Sequence, residues 1–243
     1  MHTQPSTHAQ STTQRGATER RVTAASLHRI PLFHEVPEEA LAPLAAASSR
    51  RVLAHGDTLW RPGEAIEAVV ALAKGGVCLY RPLDDGEEVA VALLGSGQVC
   101  GLAGLDVAFR PTTVARTLAD GTVAYRIPRR DFVRFLQKNP DVALRIVAVA
   151  CRRTQDAYEL FALPDARARV AYVLARLAAI AGERTVWATH EELAALTRVS
   201  REEVTRRVLP DLKGRGLIAY EQRHRGISVL DSAGLLDLAT RGM

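Results

Sequence analysis

Thr189 to Ile218 reads THEELAALTRVSREEVTRRVLPDLKGRGLI, and its capping signals decide the fold of the C-terminal part of the chain. Thr189 with Glu192, and Ser200 with Glu203, each make a capping box. In such a box a hydroxyl and a carboxylate satisfy one another's orphan backbone N–H at a helix start. Two boxes joined through Thr197-Arg198-Val199 predict a helix-turn-helix, whose second helix enters a DNA major groove with its first turns toward the bases. At about 100 degrees per residue, Arg201, Glu202, Thr205 and Arg206 share one outward arc with Val204 behind them. Arginine forks onto guanine O6 and N7, and glutamate accepts from cytosine N4, so the arc suits base reading. By itself Glu202 with Arg206 would be an ordinary solvated i,i+4 pair.

The residues that follow supply the context. Gly216, a strand-like LIAY from Leu217, a polar EQRHRG turn from Glu221 and a second strand ISVL from Ile227 describe a wing, with Arg223, His224 and Arg225 at its tip. Thr189, Arg198, Ser200, Arg207, Arg223 and Arg225 then fall where phosphates pass. Arg198 to Arg225 carries eight Lys or Arg against four Asp or Glu, a local excess of four.

The helical phase contains a conflict. On an unbroken α-helix from Arg201, Val204 and Val208 face the core, but so do Arg207 and Asp211, while Leu209 points at DNA. Absorbing one residue around Arg206 to Pro210 turns Val208, Leu209 and Leu212 inward. Pro210 also has no N–H to give the carbonyl of Arg206, so a π-type bulge or kink is predicted there.

The chain of 243 residues has room for two modest cores. Its net charge of +5 permits an anionic partner without demanding one. Cys78, Cys100 and Cys151 match neither a disulfide framework nor paired zinc spacing, which points to a reduced, cytoplasmic protein. No apolar run of about 18 residues and no signal-peptide pattern is present, so neither membrane insertion nor export is expected.

Residues 1–25 are rich in Ser, Thr, Gln and His and are expected to form a disordered tail. Residues 26–138 open with a short helix pair, Pro37 starting the second, and continue from Arg51 to Ile127 as short apolar runs cut by glycines. That texture predicts an antiparallel β-barrel or jelly roll, with Asp85-Gly86 as a hairpin turn. A metalloenzyme barrel would need a histidine cluster where this one offers only His55 and Glu64, and GSGQVCG from Gly95 lacks the third glycine of a dinucleotide fingerprint. No catalytic residue and no metal site is therefore assigned.

Residues 139–163 read as one long helix with Asn139 as N-cap and Pro140 at its first position. Leu144, Val147, Cys151, Thr154, Tyr158 and Phe161 recur at spacings of three and four, a coiled-coil seam that predicts a parallel homodimer. Val142, Ile146 and Val149 form a second stripe suited to the helix's own barrel. Residues 164–243 form the winged helix-turn-helix, entered by a helix that Asp165 caps.

The order of barrel, long helix, hinge and winged helix-turn-helix, with RVSREEVTRRV from Arg198, resembles the CRP/FNR family of bacterial transcription regulators from about Leu27 to Ala239. The resemblance implies an α+β chain of two domains: a cyclic-nucleotide-binding-like barrel joined by a dimerisation helix to the DNA-binding head. It implies double-stranded DNA and RNA polymerase as partners, base reading by Arg201, Glu202 and Arg206 (with Arg207 as the alternative second reader), and palindromic TGTGA-like half-sites. It also implies an effector pocket at Gly101, Leu102, Gly104, Arg110, Thr112 and Thr113. Leu102 stands there in place of a ribose-binding glutamate, and Arg110-Pro111 displaces or replaces the phosphate-binding arginine, which argues against cyclic AMP, since a buried anion needs a cation. Three cysteines fall short of a four-cysteine iron–sulfur site. Cyclic AMP through Arg110 and Thr112, haem on His28, His34 or His55, cyclic di-GMP, another small molecule, or no effector stay open. The competing reading is a cyclic-nucleotide, haem or redox sensor acting mainly through protein contacts.

Overall fold

The computed structural model describes residues 21–181, 185–220 and 226–240. Two short helices, α1 (Ala24–His28) and α2 (Glu38–Ala47), precede eight strands. The strands are β1 (Ser49–Leu53), β2 (Thr58–Trp60), β3 (Ala68–Lys74), β4 (Gly76–Pro82), β5 (Glu88–Gly95), β6 (Val99–Cys100), β7 (Val114–Thr117) and β8 (Thr122–Pro128). They pair antiparallel in two four-stranded sheets, ordered β1-β8-β3-β6 and β2-β7-β4-β5. Between the sheets lie Trp60, Ile66, Leu72, Val77, Leu94 and Ala115, a jelly-roll interior filled by its own side chains. The β4–β5 hairpin turns at Asp85-Gly86 as expected: Gly86 has φ +85°, and the Asp85 carboxylate accepts from the Glu87 N–H.

Helical structure starts inside the segment expected to be tail. Thr23 and Ser26 form a capping box at α1, and Val22 is buried against the helical layer of the N-terminal barrel unit (termed the sensor, as a label only), so ordered chain reaches back past Ala25. Residues 1–20 lie outside the described residues. A further helix, α3 (Arg129–Lys138), closes the sensor with Phe132 and Phe135 packed edge-on against Phe33.

α4 (Pro140–Ala162) is the long helix. Asn139 occupies its N-cap position, yet its side chain does not cap it: the Asn139 amide donates to the Phe135 carbonyl at 2.9 Å, satisfying the end of α3 instead. α4 has two apolar faces with different fates. Val142 is buried and Ile146 packs on the sensor. Leu144, Val147 and Tyr158, on the other face, are 70%, 59% and 68% exposed in the single chain. Cys151 and Thr154 are exposed on the same face, and the side chain of Phe161 lies outside the described residues.

The head comprises α5 (Ala166–Ala181), β9 (Thr185–Trp187), α6 (His190–Thr197), α7 (Arg201–Glu203), a π segment (Val204–Val208), α8 (Leu209–Gly214), β10 (Ile218–Tyr220), β11 (Gly226–Val229) and α9 (Ser232–Thr240). Its sheet runs β10-β11-β9, which gives the helix-turn-helix its wing. Residues 221–225, with Arg223, His224 and Arg225, lie outside the described residues. The head's core is continuous with the sensor: Cys78, Tyr80, Ala90 and Val114 of the β4-β5-β7 face pack in one cluster with Leu174, Leu193 and Leu196.

The phase conflict is resolved as predicted, slightly earlier in the chain. Val204–Val208 is π-helical, and the Leu209 N–H reaches the Val204 carbonyl five residues back. Val204, Val208, Leu209 and Leu212 are all at most 2% exposed, and Arg207 stays in solvent. Pro210 then sits in the first turn of α8, where its missing N–H costs little. Leu209→Ala is expected to cost about 2–5 kcal/mol in urea unfolding, the usual range for a truncated core leucine. A change within about 0.5 kcal/mol, as for a surface site, would mean that Leu209 faces solvent on a regular helix.

Candidate nucleic-acid interface

The first cap is complete. Thr189 Oγ1 accepts from the Glu192 N–H at 3.0 Å, and Glu192 Oε2 accepts from the Thr189 N–H at 2.7 Å. The other Glu192 oxygen lies 3.2 Å from His55 Nε2 of the sensor, so the residue that starts α6 also ties the head to the barrel. α6 ends at Arg198, which has φ +53°, the one positive φ outside glycine among the described residues. A left-handed arginine costs about 1–2 kcal/mol relative to a relaxed conformation, strain that glycine would avoid but without a guanidinium at the turn.

The second cap is half of what the spacing suggests. Ser200 Oγ accepts from the Glu203 N–H at 3.2 Å, but the Glu203 carboxylate meets Arg207 Nη1 at 3.4 Å rather than the Ser200 backbone. One turn on, Arg206 Nη1 donates to Glu202 Oε1 at 2.8 Å, with both side chains more than two-thirds exposed. Arg201, Glu202 and Arg206 thus stand together in solvent on one arc, above the buried Val204. Thr205 joins them half-buried, its Oγ1 3.0 Å from His190 Nδ1. Sequence spacing gave no sign of this contact, because His190 lies on the other helix. Burial, and then the Arg201 charge, push the His190 pKa below its ordinary 6.5.

Ser200 and Arg201 also border a cleft of about 1150 Å³ between the head and the sensor face carrying Tyr80, Glu88 and Arg116. Arg116 is held there by a two-pronged pair with Glu88, Nη2 to Oε1 at 2.7 Å, and lies 5.5 Å from the centre of the Tyr80 ring.

The residues expected to form an effector pocket do not assemble an anion site. Gly101 (φ +79°) and Gly104 lie so close to the Ile66–Ala68 backbone that a Cβ would stand 2.7 Å from the Ala68 oxygen and 2.5 Å from the Ile66 oxygen. Close packing accounts for both glycines. Leu102 packs with the sensor's helical layer. Arg110 is exposed and donates to the Val107 and Phe109 carbonyls of its own loop, each at 2.9 Å. Thr112 is exposed and Thr113 half-buried. A cyclic phosphate placed at Gly101–Gly104 would meet no directed cation from Arg110, in keeping with the cassette departures at Leu102 and Arg110-Pro111.

Two of the histidines and two of the cysteines are engaged or buried. His34 Nδ1 lies 2.9 Å from the Pro31 oxygen and its Nε2 3.6 Å from Glu35, and His55 faces Glu192. Cys78 and Cys100 are buried, and desolvation pushes each thiol up to about 12, which removes the thiolate that redox chemistry needs. Among the described residues no three His, Cys, Asp or Glu side chains group as metal ligands, and no helix is long and apolar enough to cross a membrane.

Comparison with known proteins places these features in a family. Residues 50–139 match the model of the cyclic nucleotide-binding domain, and residues 168–238 that of the Crp-like helix-turn-helix domain. The Cyclic AMP receptor protein of Thermus thermophilus is 31% identical over 192 residues, 77% of this chain and 88% of that protein. A CRP-like cAMP-activated global transcriptional regulator of Mycobacterium tuberculosis is 29% identical over 217 residues, 85% of this chain and 94% of its own. The fold is also that of FixK2 from Bradyrhizobium japonicum, with a TM-score of 0.66 at 20% identity over 79% of this chain and 96% of that one. The Mycobacterium relative bears the name of a transcriptional regulator, and the chain belongs to the CRP/FNR family of transcription regulators, which are not enzymes.

Proposed function

We propose that the protein is a cytoplasmic homodimer that reads a palindromic operator of TGTGA-like half-sites and acts on transcription with RNA polymerase. The observation that carries this reading is the exposed Arg201-Glu202-Arg206 arc, held in phase by the π segment. Glu202 and Arg206 are joined by an exposed i,i+4 pair worth only about 0.2–0.5 kcal/mol, so either can exchange its partner for a base edge at small cost. Arg206, paired with Glu202, is the second reader. Arg207, paired with Glu203 at the arc's edge, serves a phosphate. The Thr189 and Ser200 hydroxyls accept in their caps and keep their protons for phosphate oxygens, and Arg198 supplies a cation at the turn between the helices.

Dimerisation through Leu144, Val147, Cys151, Thr154 and Tyr158 of α4 accounts for three large apolar or aromatic side chains left in solvent on one face of the single chain. A two-fold axis along that seam would present two heads to successive grooves. The sensor domain would bias head orientation by no more than an effector's differential affinity for the two arrangements.

Titration of a TGTGA-type palindrome against scrambled DNA at several salt concentrations tests the reading. Arg201→Ala should lose about 1–3 kcal/mol on the preferred site and relax the choice at one base, while Arg198→Ala should weaken all sequences alike and lower the salt slope by about 1. Equal affinity of the unmodified protein for operator and scrambled duplex would refute base reading. A second expectation concerns His190. Its folded-state pKa lies below 6.5, so its neutral form stabilises the head fully above about 6.5, and that contribution is lost as the pH falls through the lowered value. Thermal unfolding from pH 7.5 to 5.5 should therefore show a steeper loss in the native protein than in His190→Gln, and equal slopes would contradict it.

A further inference from the structure

We propose that an arginine-lined cleft behind the dimer helix binds a small organic polyanion that bridges the sensor and the DNA-reading head. The cleft, about 630 Å³, lies between α4, the loop joining β5 to β6, the α1–α2 connection and α5. Its size is that of a small-molecule site. Arg145, Arg152 and Arg153 enter it from α4 and Arg176 from α5, and among the described residues Glu35 is the carboxylate that lines it. Among the described lining residues guanidiniums outnumber carboxylates.

Several observations mark this as a site rather than a solvated charge run. Arg145 Nη1 is buried and meets no hydrogen-bond acceptor, a loss that a bound anion would recover. Its other nitrogen pairs with Glu35, whose side chain is 60% exposed and also faces His34. Arg153 is fixed by donation to the Val99 carbonyl at 2.6 Å, and the Arg176 guanidinium lies 6.0 Å from the centre of the Tyr172 ring, so two of the four guanidiniums are positioned in advance. Guanidinium forks match carboxylate and phosphate oxygens equally well. Leu32, Ile146 and Val149 supply an apolar wall for the body of an organic anion.

The cleft is on the face of α4 opposite Leu144, Val147 and Tyr158, so a second copy seated on that seam leaves it open. Its lining includes Leu102 of the Gly101–Gly104 segment but not Arg110, which donates to carbonyls of its own loop. Because Arg176 belongs to the head and the other arginines to the sensor unit, an anion touching both would favour the arrangement that holds them together.

Calorimetric titration of the full chain without DNA, at fixed ionic strength, tests this site independently of operator reading. Citrate, pyrophosphate and ADP are the probes, and they separate a carboxylate from a phosphate source and a bare anion from one with an apolar body. At least one is expected to bind saturably, once per chain. Arg152→Gln and Arg176→Gln should each weaken it tenfold or more with unchanged unfolding temperature, and Arg134→Gln, on α3, should leave it unaltered. Absence of saturable binding by all three probes, or equal binding in the Arg152 and Arg176 variants, would overturn the proposal.

Discussion

An α-helix repeats every 3.6 residues, and the segment from Arg201 to Gly214 carries one residue more than that period can place. Its apolar set (Val204, Val208, Leu209 and Leu212) and its polar set (Arg201, Glu202 and Arg206) cannot both be on their proper sides of a regular helix. The Leu209 N–H reaching five residues back to Val204 resolves the mismatch. Without it, Arg207 and Asp211 would compete for the core, and burying an unpaired charge costs far more than one distorted turn. The position of the reading arc relative to the head's core depends on this bulge.

That core does not end at the head. The apolar cluster under α6 and the recognition helix runs into Cys78, Tyr80 and Ala90 on the sensor's outer sheet, and His55 with Glu192 adds a polar contact. A head seated this way moves only by giving up apolar burial, and an effector must supply the difference. The guanidinium-lined cleft spans the same two units from the other side. Under the proposed dimer and cleft, an occupant would act on the same equilibrium that sets the angle between the two heads of a dimer.

Much of this was legible in the residues because the signals are local. Capping boxes, the Asp85-Gly86 turn, the two stripes of α4 and the phase conflict all follow from spacing alone. Long-range contacts were not legible. The Glu203 carboxylate takes Arg207 instead of a backbone N–H, and the Asn139 amide turns back to α3, since competition between partners is settled in three dimensions. β9 is three residues long and α9 nine, too short for a periodicity to stand out. Gly101 and Gly104 carried the signature of a ligand loop, and the structure explains them by the nearness of the Ile66–Ala68 backbone. The arginines of the cleft come from two helices, and only the fold brings Arg176 to the other three.

The central claim is that two phase-locked heads read DNA together, and half-site spacing tests it most directly. Equilibrium binding would be measured on duplexes whose TGTGA-like half-sites are moved apart base pair by base pair. Affinity is expected to peak with half-site centres about one helical turn, 10–10.5 base pairs, apart and to fall sharply when half a turn is inserted. Affinity indifferent to spacing would contradict the account.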